Sequence, residues 1–256
     1  MSIITLTSDF GLKDYYVAAL KGTILSVNQN ARVIDISHAI NSFDIVQAAF
    51  VLKNAYHNFP KGSIHVLCVN NYHETLSPYL IIEKEGHYFI GPDNGVFTLV
   101  FDHLEAPVFK IEAAKLVGIK FKTCIADLIY EIQAGTILAN IGISTNTFLQ
   151  RIHMNPVTSE AHIRGVIIHV DNYENVIVNI KKDLFDKLRK GRAFSIFFKR
   201  FDPIKRISEH YHDVPIGDTL CLFNSSGYLE IAINMGKASS LLGLKIDESI
   251  QIDFEP

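Results

Sequence analysis

The chain has 256 residues, 48% of them hydrophobic and 20% charged, a composition typical of a soluble globular protein with one large domain or two small ones. Its net charge of −3 gives no reason to expect nucleic acid or an anionic membrane as a partner. The sequence contains neither the apolar run of about 18 residues that a spanning helix needs nor a recognisable secretory signal.

Buried strands and amphipathic helices alternate over the first part of the chain. Apolar runs predict strands at residues 3–6, 33–36 and 64–69. Helical spacing predicts a first helix, with Asp14 placed to cap it or to lie in its first turn, and a second helix that starts near Ser42. A β-α-β-α-β order with short connections is typical of a parallel sheet with covering helices, so we expect an α/β fold for this part.

Polar residues come directly after two of these strands, in turns at their carboxyl ends. Asp9 and Gly11 follow the first strand, and His38 follows the second. Open α/β sheets bind ligands at this edge, where a carboxylate can accept two hydroxyls of a sugar and a glycine lets the backbone approach a ligand. An aspartate or a histidine that only shapes its own turn is the alternative interpretation, and the sequence leaves both open.

The middle of the chain begins with a polar loop at residues 70–79. Three further strands and one helix are predicted after it: strands at residues 80–83, 88–90 and 107–111, and a helix at residues 127–138 that Gly135 interrupts. Between them lies Pro92-Asp93-Asn94-Gly95, which has strong turn chemistry. Asn94 also offers a donor and an acceptor that could meet a purine edge.

The pattern changes after residues 151–160, which are the best candidate for a linker. Beyond them come short strands and a single helix: strands at residues 166–170, 176–180, 193–198, 219–223, 228–233 and 249–254, and a helix at residues 182–190. Regularly spaced short strands suggest a small barrel or sandwich. We therefore predict two domains, an α/β nucleoside-binding domain at residues 1–155 and a β-barrel domain at residues 160–256.

Polar clusters interrupt the apolar strands of the second half. Asp171 and Asn175 enclose one turn, Ser225 lies in another, and Asn234 follows the next strand. Their carboxylate, amide and hydroxyl groups can hold an amino-acid head or an adenine.

Metal, disulfide and phosphate-loop chemistry are not expected. Cys68, Cys124 and Cys221 are odd in number and far apart, which favours reduced thiols in a cytoplasmic protein. The stretch His210-Tyr211-His212-Asp213 lacks both a helical histidine spacing and a clear further ligand, so a metal site is the weaker interpretation. The glycine patterns of dinucleotide sites, phosphate loops and nucleophile elbows are missing from the sequence.

Several separate blocks follow one another in the order of one known family: Thr7-Ser8-Asp9-Phe10-Gly11, Asp14-Tyr15-Tyr16-Val17-Ala18, Asp35-Ile36-Ser37-His38-Ala39-Ile40, Phe59-Pro60-Lys61-Gly62-Ser63-Ile64-His65, Gly91-Pro92-Asp93-Asn94-Gly95, Asn175-Val176-Ile177-Val178-Asn179-Ile180 and Asn224-Ser225-Ser226-Gly227-Tyr228 with Ala232-Ile233-Asn234. In these blocks the chain resembles the S-adenosyl-L-methionine (SAM) hydroxide adenosyltransferase family, which is related to fluorinating and chlorinating enzymes. The resemblance covers nearly the whole chain and is specific, because many blocks agree.

The resemblance implies an amino-terminal α/β domain with a mostly parallel sheet, a carboxyl-terminal β-barrel, and a homotrimer that binds its ligand between the first domain of one subunit and the second of the next. SAM or a nucleoside would be the substrate or ligand, with no cofactor and no metal. By position, the residues of the binding site would be Asp9 on the ribose hydroxyls, Phe43 near the sugar or base, Asn94 at the border of the pocket, Asp171 and Ser225 on the methionine head, Asn175 and Asn234 at the adenine edge, and Tyr211 stacked on adenine.

The sequence departs from the family where water is handled. Hydrolysing members are expected to hold and polarise the attacking water with an Asp, an Arg and a His. Here the Asp position is Asn70, the Arg position falls at about Ser77, and the His position falls on or near Cys124. His73 and Glu74 lie close by in the chain, and we hypothesise that they take over this role.

Three functions are consistent with this pattern. The first is an enzyme that cleaves SAM with hydroxide to adenosine and methionine. The second is a catalytically silent relative that binds adenosine or SAM, since losing one water-positioning group costs on the order of 10² to 10³ in rate. The third is a halide-dependent adenosyltransferase, because the halogenating relatives also lack the three water-handling groups.

Overall fold

The computed structural model describes residues 3–73, 75–112, 120–199 and 201–255. The chain forms two compact units, Met1–His153 and Met154–Pro256. The first has a mostly parallel sheet with flanking helices, and the second is a curled antiparallel half-barrel, which confirms the predicted mixed α/β fold class. Within the described ranges, no helix combines the length and the apolar character that crossing a membrane would require.

The strands described in the first unit are β1 (Ile3–Ser8), β2 (Arg32–Ser37), β3 (Ile64–Cys68), β4 (Tyr72–His73), β5 (Thr75–Leu76), β6 (Tyr79–Lys84), β7 (His87–Pro92), β8 (Val108–Ile111) and β9 (Ile143–Ser144). Seven of them form one sheet in the order β2-β1-β3-β7-β6-β8-β9. The first four of that order are parallel, and β6, β8 and β9 continue antiparallel. The prediction of a polar loop at residues 70–79 was wrong in part, because β4 and β5 pair antiparallel there.

The α-helices described in the first unit are α1 (Tyr16–Val27), α2 (Ile45–Ala55), α3 (Val96–Val100), α4 (Lys120–Gln133) and α5 (Leu138–Ile141), with a short 3₁₀ turn at Tyr56–Asn58. Two predicted starts were wrong. No side chain caps α1 and no acidic residue lies in its first turn, so Asp14 has neither of the two predicted roles. The second helix starts at Ile45 and not near Ser42, because the carboxylate of Asp44 caps it by accepting the backbone N–H of Gln47 at 2.9 Å.

The predicted helix at residues 127–138 is also corrected. Its apolar face continues toward the amino terminus, so the described part of α4 already runs from Lys120, and the helix stops at Gln133. Gly135 follows with a φ of 80°, a left-handed conformation that favours glycine and ends helices. The short helix α5 comes only after that break.

Helices cover both faces of the first sheet, which explains its continuous apolar strands. One core packs α1 and α4 against alternate residues of the sheet, including Leu6 and Val66. The other packs α2 and α3 against the opposite face, including Leu67 and Phe89. All five residues of β3 are buried as a result. The carboxyl ends of β1, β2 and β3 meet at one edge of this sheet.

The elements described in the second unit are β10 (Val157–Thr158), β11 (His162–Val170), β12 (Val176–Lys181), α6 (Lys182–Arg189), β13 (Phe194–Phe197), β14 (Thr219–Phe223), β15 (Tyr228–Ile233), α7 (Ala238–Leu242) and β16 (Ser249–Phe254), with a short 3₁₀ turn at Tyr211–Asp213. Six strands pair antiparallel in the order β13-β16-β11-β12-β15-β14, and β10 pairs with β11. They curl around one apolar core that includes Ile167, Phe185 and Ile231.

Candidate functional site

Asp9 stands where the carboxyl ends of three neighbouring parallel strands meet. It directly follows β1, the middle strand of the order β2-β1-β3. Its Oδ2 atom accepts the backbone N–H of Phe43 at 3.0 Å, from the loop after β2, and that of Asn70 at 3.3 Å, from the loop after β3. Because hydrogen bonds to a carboxylate are charge-assisted, Asp9 holds the three loops of this edge together.

His38 stabilises the turn that carries Asp9 through hydrogen bonds to residues on both sides of it. Gly11 has a φ of 67°, and its N–H donates to the carbonyl oxygen of His38 at 2.9 Å. The His38 ring is almost fully buried, with Nδ1 2.7 Å from Ser8 Oγ. Ser8 Oγ also accepts the backbone N–H of Phe10 at 3.3 Å. His38 therefore has the contacts of a residue that shapes its turn.

A charged pair extends this network away from the sheet edge. His38 Nε2 lies 3.0 Å from Asp35 Oδ1, and Lys21 Nζ donates to Asp35 Oδ2 at 2.6 Å. Although burial by itself would raise it, the neighbouring Lys21 and His38 hold the pKa of Asp35 below its ordinary value. Asp35 therefore stays ionised at neutral pH beside the buried imidazole.

Asn94 positions the loop that carries Asn70. Its side chain is only 1% exposed, and Nδ2 donates to the carbonyl oxygens of Val69 at 3.0 Å and Asn70 at 3.2 Å. Its Oδ1 accepts the backbone N–H of Val96 at 3.1 Å. The amide donor and acceptor of Asn94, predicted to be available to a ligand, are thus occupied within the chain. Asn94 lies next to the Asp9 edge, but it acts there on the backbone.

Apolar side chains near Asp9 are unusually exposed. Phe43, in the loop after β2, is 70% exposed, and Leu12 and Tyr15, in the loop after β1, are 76% and 68% exposed. Phe43 adopts a φ of 69°, which is rare for an aromatic residue and is supported by its N–H bond to Asp9. Exposed apolar groups beside a polar site are typical of surfaces that a ligand or another protein covers.

The predicted water-handling positions lie on different elements. Asn70 is beside Asp9, Ser77 is buried just before β6, and Cys124 lies half-buried on α4, packed against the core under that helix. His73 belongs to β4, where the backbone alone is described, and Glu74 lies outside the described residues. Their proposed role at the water therefore stays a prediction.

In the second unit, Asp171 organises the turn between β11 and β12. Its Oδ1 accepts the backbone N–H groups of Tyr173 at 2.9 Å and Asn175 at 2.8 Å, and its Oδ2 accepts Nδ2 of Asn175 at 3.2 Å. Asn175 is buried by these contacts. Asp171 and Asn175, for which separate roles at the methionine head and the adenine edge were predicted, are thus hydrogen-bonded to each other.

A buried carboxylate lies beside this turn. Glu230, on β15, accepts the hydroxyl of Tyr211 at 2.7 Å through Oε1 and Nδ2 of Asn224 at 3.3 Å through Oε2. Burial, together with the nearby Asp171 carboxylate, raises the pKa of Glu230 above its ordinary value. Burial and the bond to Glu230 likewise raise the pKa of the Tyr211 phenol, which stays protonated at neutral pH.

The two remaining predicted residues lie on the flanks of β15. Ser225 is exposed in the turn before β15, next to Asn224. Asn234 follows the strand, is 9% exposed, and donates through Nδ2 to the carbonyl oxygen of Val214 at 2.8 Å. Of the predicted residues in this unit, Asp171, Asn175 and Tyr211 are therefore brought into one cluster around Glu230.

Sequence reasoning missed Glu230. A signal was present, because it is the one charged residue in the apolar run Tyr228–Ile233, and a charge inside a buried strand is costly unless it is paired or functional. Its partner Tyr211 is 19 positions away, in a stretch that looked like a possible metal site.

The chain combines a parallel sheet, with an aspartate at the meeting point of three strand ends, and a half-barrel with a polar cluster. It is therefore a two-unit α/β protein with polar groups at the sheet edge where open α/β folds bind their ligands. The family can be named from comparison with known sequences. The amino-terminal domain of the SAM hydroxide adenosyltransferase family matches residues 4–140, and its carboxyl-terminal domain matches residues 165–251. The chain therefore belongs to the SAM hydroxide adenosyltransferase family.

Named relatives agree with this assignment along the whole chain. An (R)-S-adenosyl-L-methionine hydrolase of Methanocaldococcus jannaschii is 32% identical, covering 99% of this chain and 97% of that protein. A protein of the same name from Thermus thermophilus is 26% identical, covering 96% and 97%. A fluorinase of Actinopolyspora mzabensis is 22% identical, covering 98% and 96%.

Solved structures share the architecture. An uncharacterised conserved protein of Thermotoga maritima superposes with a TM-score of 0.87 at 28% identity, covering 98% of this chain and all of that one. A conserved hypothetical protein of Thermus thermophilus superposes with a TM-score of 0.77 at 24% identity, covering both chains fully. The second similarity, at this identity, concerns the fold alone.

Proposed function

We propose that this protein cleaves SAM with water to adenosine and methionine. Full-length similarity to proteins named (R)-S-adenosyl-L-methionine hydrolase supports the reaction. The observation that carries the proposal is the carboxylate of Asp9 at the meeting point of three strand ends. SAM is a substrate in this proposal, and the reaction uses no cofactor and no metal.

Asp9 is suited to hold the ribose. Its Oδ2 is engaged by the backbone N–H groups of Phe43 and Asn70, whereas Oδ1 takes no hydrogen bond from the described residues. A fixed carboxylate with one oxygen available can accept a ribose hydroxyl, and two hydroxyls when they share it. The exposed Phe43 ring is on the neighbouring loop, where it can pack against the sugar or base.

The chemistry needs alignment more than acid catalysis. The oxygen of water forms a bond to C5′ of the ribose while the bond from C5′ to the sulfonium sulfur breaks. The sulfur keeps the electron pair and leaves as the neutral thioether of methionine, so no acid has to protonate it. The water loses one proton, and we assign His73 and Glu74 to receive it and to orient the water. These two assignments rest on their position in the loop after β3.

The second unit would bind the remainder of the substrate. Asp171 and Ser225 would meet the methionine head, and Tyr211 would stack on adenine. Asn175 and Asn234 would lie at the adenine edge. Their side-chain amides already donate to Asp171 and to Val214, so we propose that they act through their remaining acceptor atoms and through the backbone they hold.

We propose that the working form is a homotrimer with its sites at subunit interfaces. The apolar exposure of Leu12, Tyr15 and Phe43 beside Asp9 supports a covered surface at this edge. No nucleic acid or membrane takes part in the proposal. A cytoplasmic location agrees with Cys68, Cys124 and Cys221 standing as separate thiols without a disulfide.

A second candidate function is binding without cleavage. It is favoured by the replacement of the expected Asp, Arg and His by Asn70, about Ser77, and a residue at or near Cys124. If nothing replaced them, turnover would fall by orders of magnitude while the ribose contacts of Asp9 remained. The binding and the chemistry therefore have to be measured separately.

Incubation of the purified protein with SAM tests the reaction. We expect adenosine and methionine in equal amounts, at a rate independent of chloride, and a strongly reduced rate for His73→Ala. SAM binding without adenosine formation above background would instead establish the silent function. Chloride-dependent formation of 5′-chloro-5′-deoxyadenosine would establish the halide-dependent one.

Calorimetric titration with adenosine tests the site. Asp9→Asn should weaken adenosine binding on the order of 10-fold, because it removes a charged acceptor. Asp14→Asn is the matched control, since Asp14 is an exposed carboxylate on the same loop and caps no helix. Equal losses in both variants would contradict the assignment of Asp9.

A further inference from the structure

Glu230 is a carboxylate on the outer face of the half-barrel sheet. Along β15, Leu229, Ile231 and Ile233 point into the apolar core, so Glu230 points away from it. It is nevertheless only 4% exposed. A strand residue on the outer face of a sheet is normally in solvent, so something covers Glu230 from outside.

The covering segment is the stretch around the 3₁₀ turn Tyr211–Asp213. Before the turn, the backbone N–H of Ser208 donates to the carbonyl oxygen of Cys221 on β14 at 2.7 Å. After the turn, the carbonyl oxygen of Val214 accepts Nδ2 of Asn234 at 2.8 Å. Main-chain groups at both ends of the segment therefore form hydrogen bonds, one to β14 and one to the side chain of the residue that follows β15.

Between these two anchors, Tyr211 is fastened by its side chain. Its hydroxyl donates to Glu230 Oε1 at 2.7 Å, yet 45% of the residue is exposed. The polar end is thus held at the sheet while a large part of the ring faces outward. A ring fixed at its far end and open on its surface can stack on a flat ligand group with little loss of conformational entropy.

The surroundings of Glu230 indicate that it is kept for this contact. Among the described residues, no lysine, arginine or histidine forms an ion pair with it. Its other oxygen takes one neutral donor, Nδ2 of Asn224, at 3.3 Å. Burying a carboxylate without a cation destabilises the fold, and a neutral residue at the same strand position would not carry this penalty.

We infer that Glu230 is a positioning residue, whose hydrogen bond fixes the ring of Tyr211 as the stacking platform for the nucleobase of the ligand. This inference rests on the proposed function, because it takes the ligand to carry adenine. It assigns Glu230 no direct contact with the substrate. The predicted consequence is that Glu230 affects adenosine and SAM equally, since both contain the same base.

A double-mutant cycle on adenosine affinity tests the inference. Tyr211→Phe keeps the ring and removes only the hydroxyl, and Glu230→Ala removes the acceptor. Each should weaken adenosine binding on the order of 10-fold, within the range that stacking on an aromatic residue contributes. The double variant should bind adenosine with the same affinity as the weaker-binding single variant, because both changes break the same contact. Losses that multiply in the double variant would overturn the inference.

Two further variants separate positioning from general damage to the fold. Glu230→Gln should bind adenosine within about 2-fold of the wild type, because the Tyr211 hydroxyl can accept from the new amide while the amide oxygen accepts from Asn224. Asp183→Ala removes an exposed carboxylate on α6 and should leave adenosine affinity unchanged. If Glu230→Ala does not fold, Tyr211→Phe decides by itself: wild-type affinity in that variant would refute the inference.

The choice of ligand distinguishes this inference from the proposed function. Equal losses for adenosine and SAM support a platform for the base. A loss for SAM alone would place Glu230 at the methionine head and overturn the inference, with the proposed reaction intact. Wild-type protein that binds adenosine without cleaving SAM would refute the reaction and leave the inference standing. Wild-type protein that cleaves SAM but does not bind adenosine would refute the inference and leave the reaction standing.

Discussion

Acidification should destabilise the first unit through one buried imidazole, His65. This residue lies on β3 and is 0% exposed. Its Nδ1 is 2.7 Å from Thr5 Oγ1 on β1, its Nε2 is 3.1 Å from Nδ1 of His87 on β7, and its ring stacks on Phe89 at 5.0 Å. Burial, and secondarily the neighbouring His87, lower the pKa of His65 to about 3.

The size of the effect follows from proton linkage. An unfolded histidine has a pKa of about 6.5, so below that pH the unfolded chain binds one more proton than the folded one does. Stability is therefore complete above pH 6.5 and falls by about 1.4 kcal/mol per pH unit until the folded pKa of about 3 is reached. Between pH 7.5 and pH 5.0 the loss amounts to about 2 kcal/mol, a substantial part of a typical stability of about 5–15 kcal/mol.

Urea unfolding at pH 7.5 and pH 5.0, followed by circular dichroism, measures this loss. His65→Gln cannot titrate, so its free energy of unfolding should depend less on pH than that of the wild type, by about 2 kcal/mol over this interval. His103→Gln, at an exposed position in the same unit, is the matched control and should leave the pH dependence unchanged. Parallel pH dependences for the wild type and His65→Gln would refute the reasoning, whatever the absolute stability of the variant.

Three further predictions concern packing and the loops at the Asp9 edge. Asn94→Ala leaves two carbonyl oxygens of the loop after β3 without their donor. The variant should lose about 1–3 kcal/mol of unfolding free energy in urea and bind adenosine more weakly in calorimetry. Unchanged affinity would contradict the role of Asn94 in positioning that loop. Phe89→Ala removes a fully buried ring whose centroid lies 4.9 Å from that of Phe101. The variant should lose about 3–5 kcal/mol of unfolding free energy in the same assay. A loss below about 1 kcal/mol would mean that the core repacks to fill the cavity. Gly91→Ala places a Cβ 2.9 Å from Phe97 Cζ and 3.1 Å from the carbonyl oxygen of Leu67. Because both contacts are too close, the variant should have a lower melting temperature than the wild type. An equal melting temperature would show that the Phe97 ring moves aside freely.

Local sequence pattern determined most elements of this protein. The apolar runs at β1, β3, β6 and β7 and the short strands of the second half were predicted because burial on one or both faces leaves a readable period. Boundaries were less accurate where a local contact decided them. Asp44 caps α2, which therefore starts at Ile45 and not near Ser42, because a cap depends on which side-chain oxygen reaches the backbone N–H three residues on.

The sequence by itself determined the family, the fold class and the place of Asp9 at a strand end, since each of these is written in contiguous residues. The tertiary structure decided which polar groups remain available to a ligand and which are occupied within the chain. Asn94 and Asn234 look alike as ligand residues in the sequence, but their amides hold backbone carbonyls. In the sequence, Glu230 is an unexplained charge in an apolar strand, and only the fold brings the Tyr211 hydroxyl within hydrogen-bond distance of it. The physical reason is that a hydrogen bond depends on distance in space, and residues 19 positions apart have no local pattern that records it.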